Sequence, residues 1–541
     1  MPATKPSPHF LEKESVMYRR YLLITLAILT AFVMTSCAIF APSAGEKKIP
    51  EVPRADREFR GVWVATVVNI DWPSKPGLSS DDQKKEAITI LDSVVAIRLN
   101  AVVLQVRPHC DAMYASQLEP WSYYLTGEEG KAPEPYYDPL AFWVEEAHKR
   151  GIELHAWFNP YRAHHPKGGE ITEASIIKRH PTWVKDVGNG MWWLNPSNKE
   201  VQDHSFNVVM DVVRRYDIDG VHFDDYFYPY GDGNFPDDDT WADYKKSGGS
   251  LSRADWRREA VNTFIERVYE GIKKEKPYVK FGISPFGIGR PGNPPSISGF
   301  DQYSVLYADA LLWLQKGWID YWSPQLYWPI NRIPQSFPVL LGWWARENTK
   351  GRNLWPGMIL ERMTNEKGAD EITNQIMIER GFVPDAPGHI HFSMKAFLND
   401  SSVLNAALKN GPYRKQSLVP PSPWLGSTPP SAPKATATVA NDTTLVISWN
   451  HEDVNDVFRW VVYYQFGKQW EYTILNKQDR MIALPLSRAV RERPRGRQRD
   501  ENAPPRIEYV TRIAVSAVDR LGNESELSYQ SVDRPVPTAV R

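Results

Sequence analysis

The sequence predicts an α/β architecture, a (β/α)8 TIM barrel followed by a small all-β sandwich, on three observations. Between Phe59 and Phe397, eight short apolar runs each precede a segment of helical spacing. A parallel barrel explains this alternation better than the alternative, an open doubly wound sheet. After Gly411, the stretch PYRKQSLVPPSPWLGSTPPSAPKATA breaks the helical period with proline. Beyond it only strand-like runs follow: TTLVISWN, FRWVVYYQFG and YVTRIAVSAVDRLGNES.

The first unit pairs FRGVWVATV with a helix over 82–98. AVVLQVRP leads to DPLAFWVEEAHKRG, where Asp138 is the N-cap, Pro139 takes the first helical position and Gly151 follows the last turn. IELHAWFNP precedes a helix over 198–215, and DGVHFDDYF an amphipathic helix over 254–275. VKFGISPFG is followed by a helix over 301–316, and IDYWSPQLYW by one over 335–347. NLWPGMIL leads to 366–380, and HIHFSMKAF to a short helix over 402–409.

At 541 residues the chain exceeds what one core serves. The expected boundaries are 1–37 for an export signal, 38–55 for a tether, 56–412 for the barrel, 413–432 for a proline-rich linker and 433–536 for the all-β module. MYRRYLLITLAILTAFVMTSC, from Met17 to Cys37, has a basic start, an apolar run and small residues before cysteine. That is the layout of a secretory signal rather than a spanning helix, with Met17 as the expected start and an uncleaved anchor as the alternative. Its ending resembles a bacterial lipobox, which implies a lipid on Cys37, membrane attachment through that lipid and a place in the cell envelope. The absence of an acidic run after Cys37 favours the periplasmic face of the outer membrane.

With Cys37 acylated, Cys110 is the one cysteine left, which excludes an intrachain disulfide or a cysteine-based zinc site. A net charge of −1 gives no reason to expect nucleic acid as a partner. The 21 Trp and 25 Tyr supply core, and also flat apolar faces of the kind that stack on sugars.

Barrel chemistry sits at the carboxyl ends of the strands, where inward and outward side chains alternate. In GVHFD, Val221 and Phe223 are apolar and face outward, so His222 and Asp224 face in. The same alternation turns His155, Trp157 and Asn159 inward, and likewise Gln105 and Arg107, with His109 and Asp111 on the loop above. Ser323, Gln325 and Tyr327 share the inward parity, as do His391, Ser393 and Lys395. So many polar groups at one end of five strands exceed what a packed core needs.

Three chemistries compete for this mouth. Metal hydrolysis would use His222 with Asp224 and His109 with Asp111, but lacks the usual ligand patterns. Serine or cysteine chemistry would use Ser284 or Cys110, neither in a nucleophile elbow nor beside an evident relay. Glycoside hydrolysis needs two carboxyl groups and aromatic platforms; Trp157, Tyr161, Tyr226, Tyr228, Tyr230, Tyr327 and Trp328 lie at or near strand ends.

FRGVWVATV, QVRPHCDAMY, HAWFNPYR, GVHFDDYFYP and SPQLYW resemble, in order, the motifs of the glycosyl hydrolase-like lipoprotein family of the bacterial envelope. The resemblance spans the barrel and implies a (β/α)8 fold acting on glycans, in a family of which one kind of member cleaves peptidoglycan strands stripped of their stem peptides. Cys110 stands where that family usually has glycine, so its side chain would narrow the mouth beside Asp111. The all-β segment resembles a fibronectin type III module through Trp449, Tyr463 with Tyr464, and the turn from Asp519 to Ser525. The basic insertion SRAVRERPRGRQRDENAPPR departs from that pattern and reads as a solvated loop.

Asp224 is the leading catalytic carboxylate, as nucleophile or base, with His222 beneath it. The fifth strand carries no acid, which leaves Asp111, Glu361 or, least suited, Asp225 itself as the partner. Asp225, a chain neighbour of Asp224, is better suited to capping or orienting. Substrate contacts are expected from Arg107, His155, Trp157, Asn159, Arg162, His222, Asp225, Tyr327 and Trp328, with Arg107 equally a buried partner for Asp111 or Asp224. The acidic loop NFPDDDTWADY reads as a solvated lid rather than a calcium loop. No cofactor or metal is expected. A glycan-binding scaffold without turnover is the second reading of the same aromatics.

Overall fold

The computed structural model describes residues 52–361, 363, 365–398, 402–490 and 505–533; the expected signal, Cys37 and nearly all of the tether lie outside them. Among the described residues, no helix is long and apolar enough to cross a membrane. Parallel strands β1 (Phe59–Val64), β2 (Ala101–Arg107), β3 (Glu153–Phe158), β4 (Gly220–Phe223), β5 (Lys280–Ile283) and β6 (Tyr321–Trp322) lie side by side in chain order. Each is followed by a covering helix: α1 (Ser80–Ile97), α2 (Pro139–Lys149), α3 (Lys199–Arg215), α4 (Arg253–Glu275), α5 (Ala310–Lys316) and α6 (Phe337–Glu347).

The seventh position is split at Trp355–Pro356 into β7 (Asn353–Leu354) and β8 (Gly357–Ile359), because proline has no N–H for the ladder. β7 pairs with β6, and β8 with β9 (Gly388–Phe392), which pairs in turn with β1. The amides of Trp355 and Gly357 donate to the carbonyls of Trp322 and Pro324, at 2.8 and 2.9 Å, and carry the sheet across the break into a closed ring. Helices α7 (Glu366–Phe382) and α8 (Val403–Asn410) complete the outer layer. Asp138 caps α2 through the amide of Ala141, with Pro139 in the first turn. The helix expected over 301–316 is instead two: a single turn, Gln302–Val305, and then α5, capped by Asp309.

The ring's interior is aromatic and hydrogen-bonded. Phe59, Trp63, Trp157, Tyr321 and Trp355 form its apolar part. The Tyr321 hydroxyl lies 2.9 Å from Nδ1 of both His155 and His222. Trp63 donates its indole N–H to His222 Nε2 at 3.2 Å. An indole only donates, so that nitrogen accepts and His222 Nδ1 carries the proton toward Tyr321. The tyrosine then donates to His155 Nδ1, and His155 Nε2 donates to Glu153, 3.0 Å away. Burial holds His222 well below the usual imidazole range, in keeping with a neutral ring. Room for these rings comes from glycine: a Cβ on Gly220 would meet the His155 ring at 2.5 Å, and one on Gly282 the Tyr321 ring at 2.0 Å.

Two parities differ from the sequence reading. In β9, His391 aligns with Val62 of β1 and Met358 of β8, both of the barrel–helix layer. His391 therefore faces outward, its Nε2 2.7 Å from the Tyr413 hydroxyl, and Ile390 takes the interior. Ser393 turns to Asp71. In β2, a bulge between Gln105 and Arg107 brings Arg107 opposite Phe158, an outward position.

The carboxyl-terminal region forms two antiparallel sheets around Leu445, Ile447, Trp449, Trp460, Val462 and Val515. The segment expected as a proline-rich linker touches the barrel: Trp424 donates to Asp320 at 2.9 Å, and Leu418 pairs with the backbone of Asp56. At the amino ends of the strands, Arg520 reaches Asp219 and Asp217 at 2.8 and 2.7 Å. The other Asp219 oxygen meets His148 and the Leu154 amide, both at 2.8 Å. Burial works against the Asp219 carboxylate, but Arg520 and His148 outweigh it and hold the group below the usual range.

Tyr321→Phe strands two imidazole nitrogens where water has no access, and should cost about 2 kcal/mol of stability. The midpoint of urea unfolding reads this out, and an unchanged midpoint would contradict the bridge.

Candidate active site

β4 delivers the two acids. Val221 and Phe223 pack in the outer layer, His222 in the interior, and Asp224 and Asp225 follow at the strand's carboxyl end, each 3% exposed. Both line a cavity of about 250 Å³. Its wall is aromatic through Trp63, Trp157, Tyr226, Tyr230, Tyr327 and Phe392, and polar through Gln105, Arg162, Ser284 and Gln325.

Asp224 is held by donors on three residues. Trp157 Nε1 donates at 3.0 Å, Asn159 Nδ2 at 3.3 Å and the Tyr226 amide at 3.3 Å. Burial raises its pKa above the usual carboxylate value, opposed by the Arg162 charge and by these donors. Arg162 itself is fixed by two hydrogen bonds to the Pro108 carbonyl, at 2.9 and 2.7 Å, and lies over the Tyr226 ring. Asp225 accepts the Tyr230 hydroxyl and a hydrogen bond from Gln325. Burial and then the Asp224 charge push it up to about 7. Tyr230 is set by stacking on Phe300, with ring centroids 5.0 Å apart.

Trp157, Arg162, Asp225 and Tyr327 thus join Asp224 at the cavity, and Asn159 supports it from beneath the surface. Other expected residues lie elsewhere. Asp111 is fully buried and directed at His109, 2.7 Å away. Glu361 is exposed and outside the lining. Arg107, turned by the β2 bulge, forms a buried ion pair with Glu119 rather than with Asp111 or Asp224. It also donates to the Asn159 carbonyl and to Cys110 Sγ, so Cys110 packs below the mouth. Burial alone would raise Glu119, yet Arg107 and His204 bring it down to about 2. His155 and His222 belong to the interior network, Trp328 packs on Phe286, and Tyr161 and Tyr228 are core.

Gln105 reaches the cavity as its inward parity implied, whereas Trp63 and Phe392 were not singled out by the sequence reading. The alternation of Phe59, Gly61 and Trp63 in β1 carries the signal for Trp63, which an apolar strand with two buried faces conceals. From Asp238 on, the acidic loop is a helix, Asp238–Lys246, clamped where buried Asp237 receives Arg257 and Arg253. Among the described residues, Glu58, Glu379 and His389 are close enough together to share an ion, at the opposite end of the barrel, where Arg60 and Arg380 already neutralise Glu58.

Carboxyl-selective NMR should show Asp225 titrating near pH 7 and, in Asp224→Asn, at lower pH but still above the ordinary value, because burial remains when the neighbouring charge is gone. An unmoved midpoint would show that the two groups do not interact.

The model of the family "Glycosyl hydrolase-like 10" matches residues 58–367. The chain is 38% identical over 491 residues to glycosyl hydrolase YngK of Bacillus subtilis, which covers 88% of this chain and 93% of that protein. It is 37% identical over 361 residues to glycosyl hydrolase DigH of Escherichia coli K12, covering 62% and 80% of the two chains. Among solved structures, the catalytic domain of β-amylase from Paenibacillus polymyxa matches with a TM-score of 0.44 and 11% identity, over 68% of this chain and all of that one. With the family model and a relative of nearly its full length in agreement, the chain belongs to the glycosyl hydrolase-like 10 family.

Proposed function

We propose that the protein is a glycoside hydrolase of the cell envelope that cleaves peptidoglycan glycan strands lacking stem peptides. The observation that carries the hydrolase reading is the pair of buried carboxyls facing one aromatic-walled cavity in unlike surroundings. Two titrating groups whose environments separate their proton affinities divide into acid and base roles. Asp225, protonated up to about pH 7, is the proton donor to the departing oxygen. Asp224, fixed by Trp157, Asn159 and the Tyr226 amide, is the negative charge that faces the oxocarbenium-like transition state.

Arg162 supports the substrate reading. Among the described residues, it is the one cationic side chain in the cavity lining. Removing a stem peptide from a muramyl residue frees a lactyl carboxylate, which a fixed guanidinium suits. The envelope assignment rests on the apolar segment ending at Cys37, outside the described residues. A binding scaffold would need the aromatics alone and would not account for two acids held dry at the cavity.

On peptide-free strands, Asp224→Asn and Asp225→Asn should each lower kcat/KM by about 1,000-fold or more while the strands still bind. Undiminished cleavage by Asp224→Asn would sink the assignment, and binding without cleavage by the unaltered protein would establish the scaffold. The rate should decline as pH rises through about 7, when Asp225 loses its proton, and decline again in acid as Asp224 gains one. A profile flat across neutrality would remove Asp225 as the acid.

A further inference from the structure

A glycosidase with two protein carboxylates sets them on opposite sides of the scissile bond, the second acting as nucleophile or activating water across the ring from the acid. Asp224 and Asp225 are consecutive, so their Cα atoms stand about 3.8 Å apart, and both acids enter the cavity from the end of one strand. Among the described residues, no other carboxylate lines the cavity. Asp111 lies outside the lining, beside His109, and Asp71 is held by Ser393 and the amides of Ala65 and Lys395. The wall contributed by the first and last strands and the loop after β1 is apolar, with Ala65, Val67, Ile70 and Phe392.

We propose, resting on the glycosidase reading above, that the bound sugar supplies the missing nucleophile through the carbonyl oxygen of its own 2-acetamido group, so that the substrate class is a glycan of 2-acetamido sugars. In the first step Asp225 gives its proton to the glycosidic oxygen. The C1–O bond breaks, its electron pair leaving with the departing hydroxyl, and the acetamido oxygen bonds to C1. The result is a cyclic oxazolinium, whose N–H donates to the Asp224 carboxylate and is charge-balanced by it. In the second step water attacks C1 and gives a proton to the Asp225 carboxylate, while the bond from C1 to the acetamido oxygen breaks and the amide is restored. One water is consumed and configuration is retained. Two neighbouring acids suffice for this chemistry, because one addresses the leaving oxygen and the other the adjacent C2 substituent. The apolar wall suits the acetamido methyl.

The test uses peptide-free strands that are N-deacetylated and then re-acylated with acetyl, difluoroacetyl or trifluoroacetyl groups, cleaved by the full chain, with the product anomer read by NMR. From acetyl to trifluoroacetyl, kcat should fall by about 100-fold or more while KM changes by less than about threefold, since fluorine weakens the carbonyl nucleophile without enlarging the group greatly. The first-formed product should keep the configuration of the bond cleaved. A flat series, or an inverted product, overturns the proposal and leaves the glycosidase reading standing. Absence of cleavage of the acetyl strands overturns both.

Discussion

The barrel depends on one hydroxyl. Tyr321 joins His155 of β3 to His222 of β4, and Trp63 and Glu153 at the two ends give the chain of hydrogen bonds a single direction. Buried polar groups of this kind specify an arrangement only when every member is satisfied. Here each donor has an acceptor, and the glycines at 220 and 282 admit the rings that make the connection. The network lies immediately beneath the acids: His222 of β4 is two residues before Asp224, and Trp157, which donates to Asp224, is two residues after His155. Rigidity in the floor is thereby passed to the carboxylate above it.

Dryness is the second shared property of the site. Asp224 and Asp225 are both nearly inaccessible, and the water they have lost is replaced by fixed donors rather than by a cation in direct contact. Burial raises both, but unequally, because Asp224 has Arg162 nearby and Asp225 has Asp224. A neighbour's charge is what turns two identical side chains into different reagents.

Much of this was legible in the sequence. The capped start of α2 at Asp138–Pro139 and the alternation Val221, His222, Phe223, Asp224 both follow from local rules that tertiary structure left in place. Arg107 and His391 were misplaced because a strand's parity holds only while its register is unbroken: a bulge moves the first, and the pairing of β9 with β1 decides the second. Glu119 was invisible as the partner of Arg107, since it sits twelve residues on in an irregular loop with no periodic signal. The consecutive acids were read as one catalyst and one cap from the difficulty of straddling a ring, whereas the fold brings both to the same cavity.

The grip of Arg520 on Asp219 bears on how such a chain can be recombined. Asp219 immediately precedes β4, so the carboxyl-terminal sheets hold the tail of the strand whose head bears the acids. Modules strung on free linkers are exchanged as cassettes, each indifferent to its neighbour. This one is not portable in that sense: lifting it away would strip Asp219 of its strongest counter-charge, and any replacement would have to bring a guanidinium to the same spot.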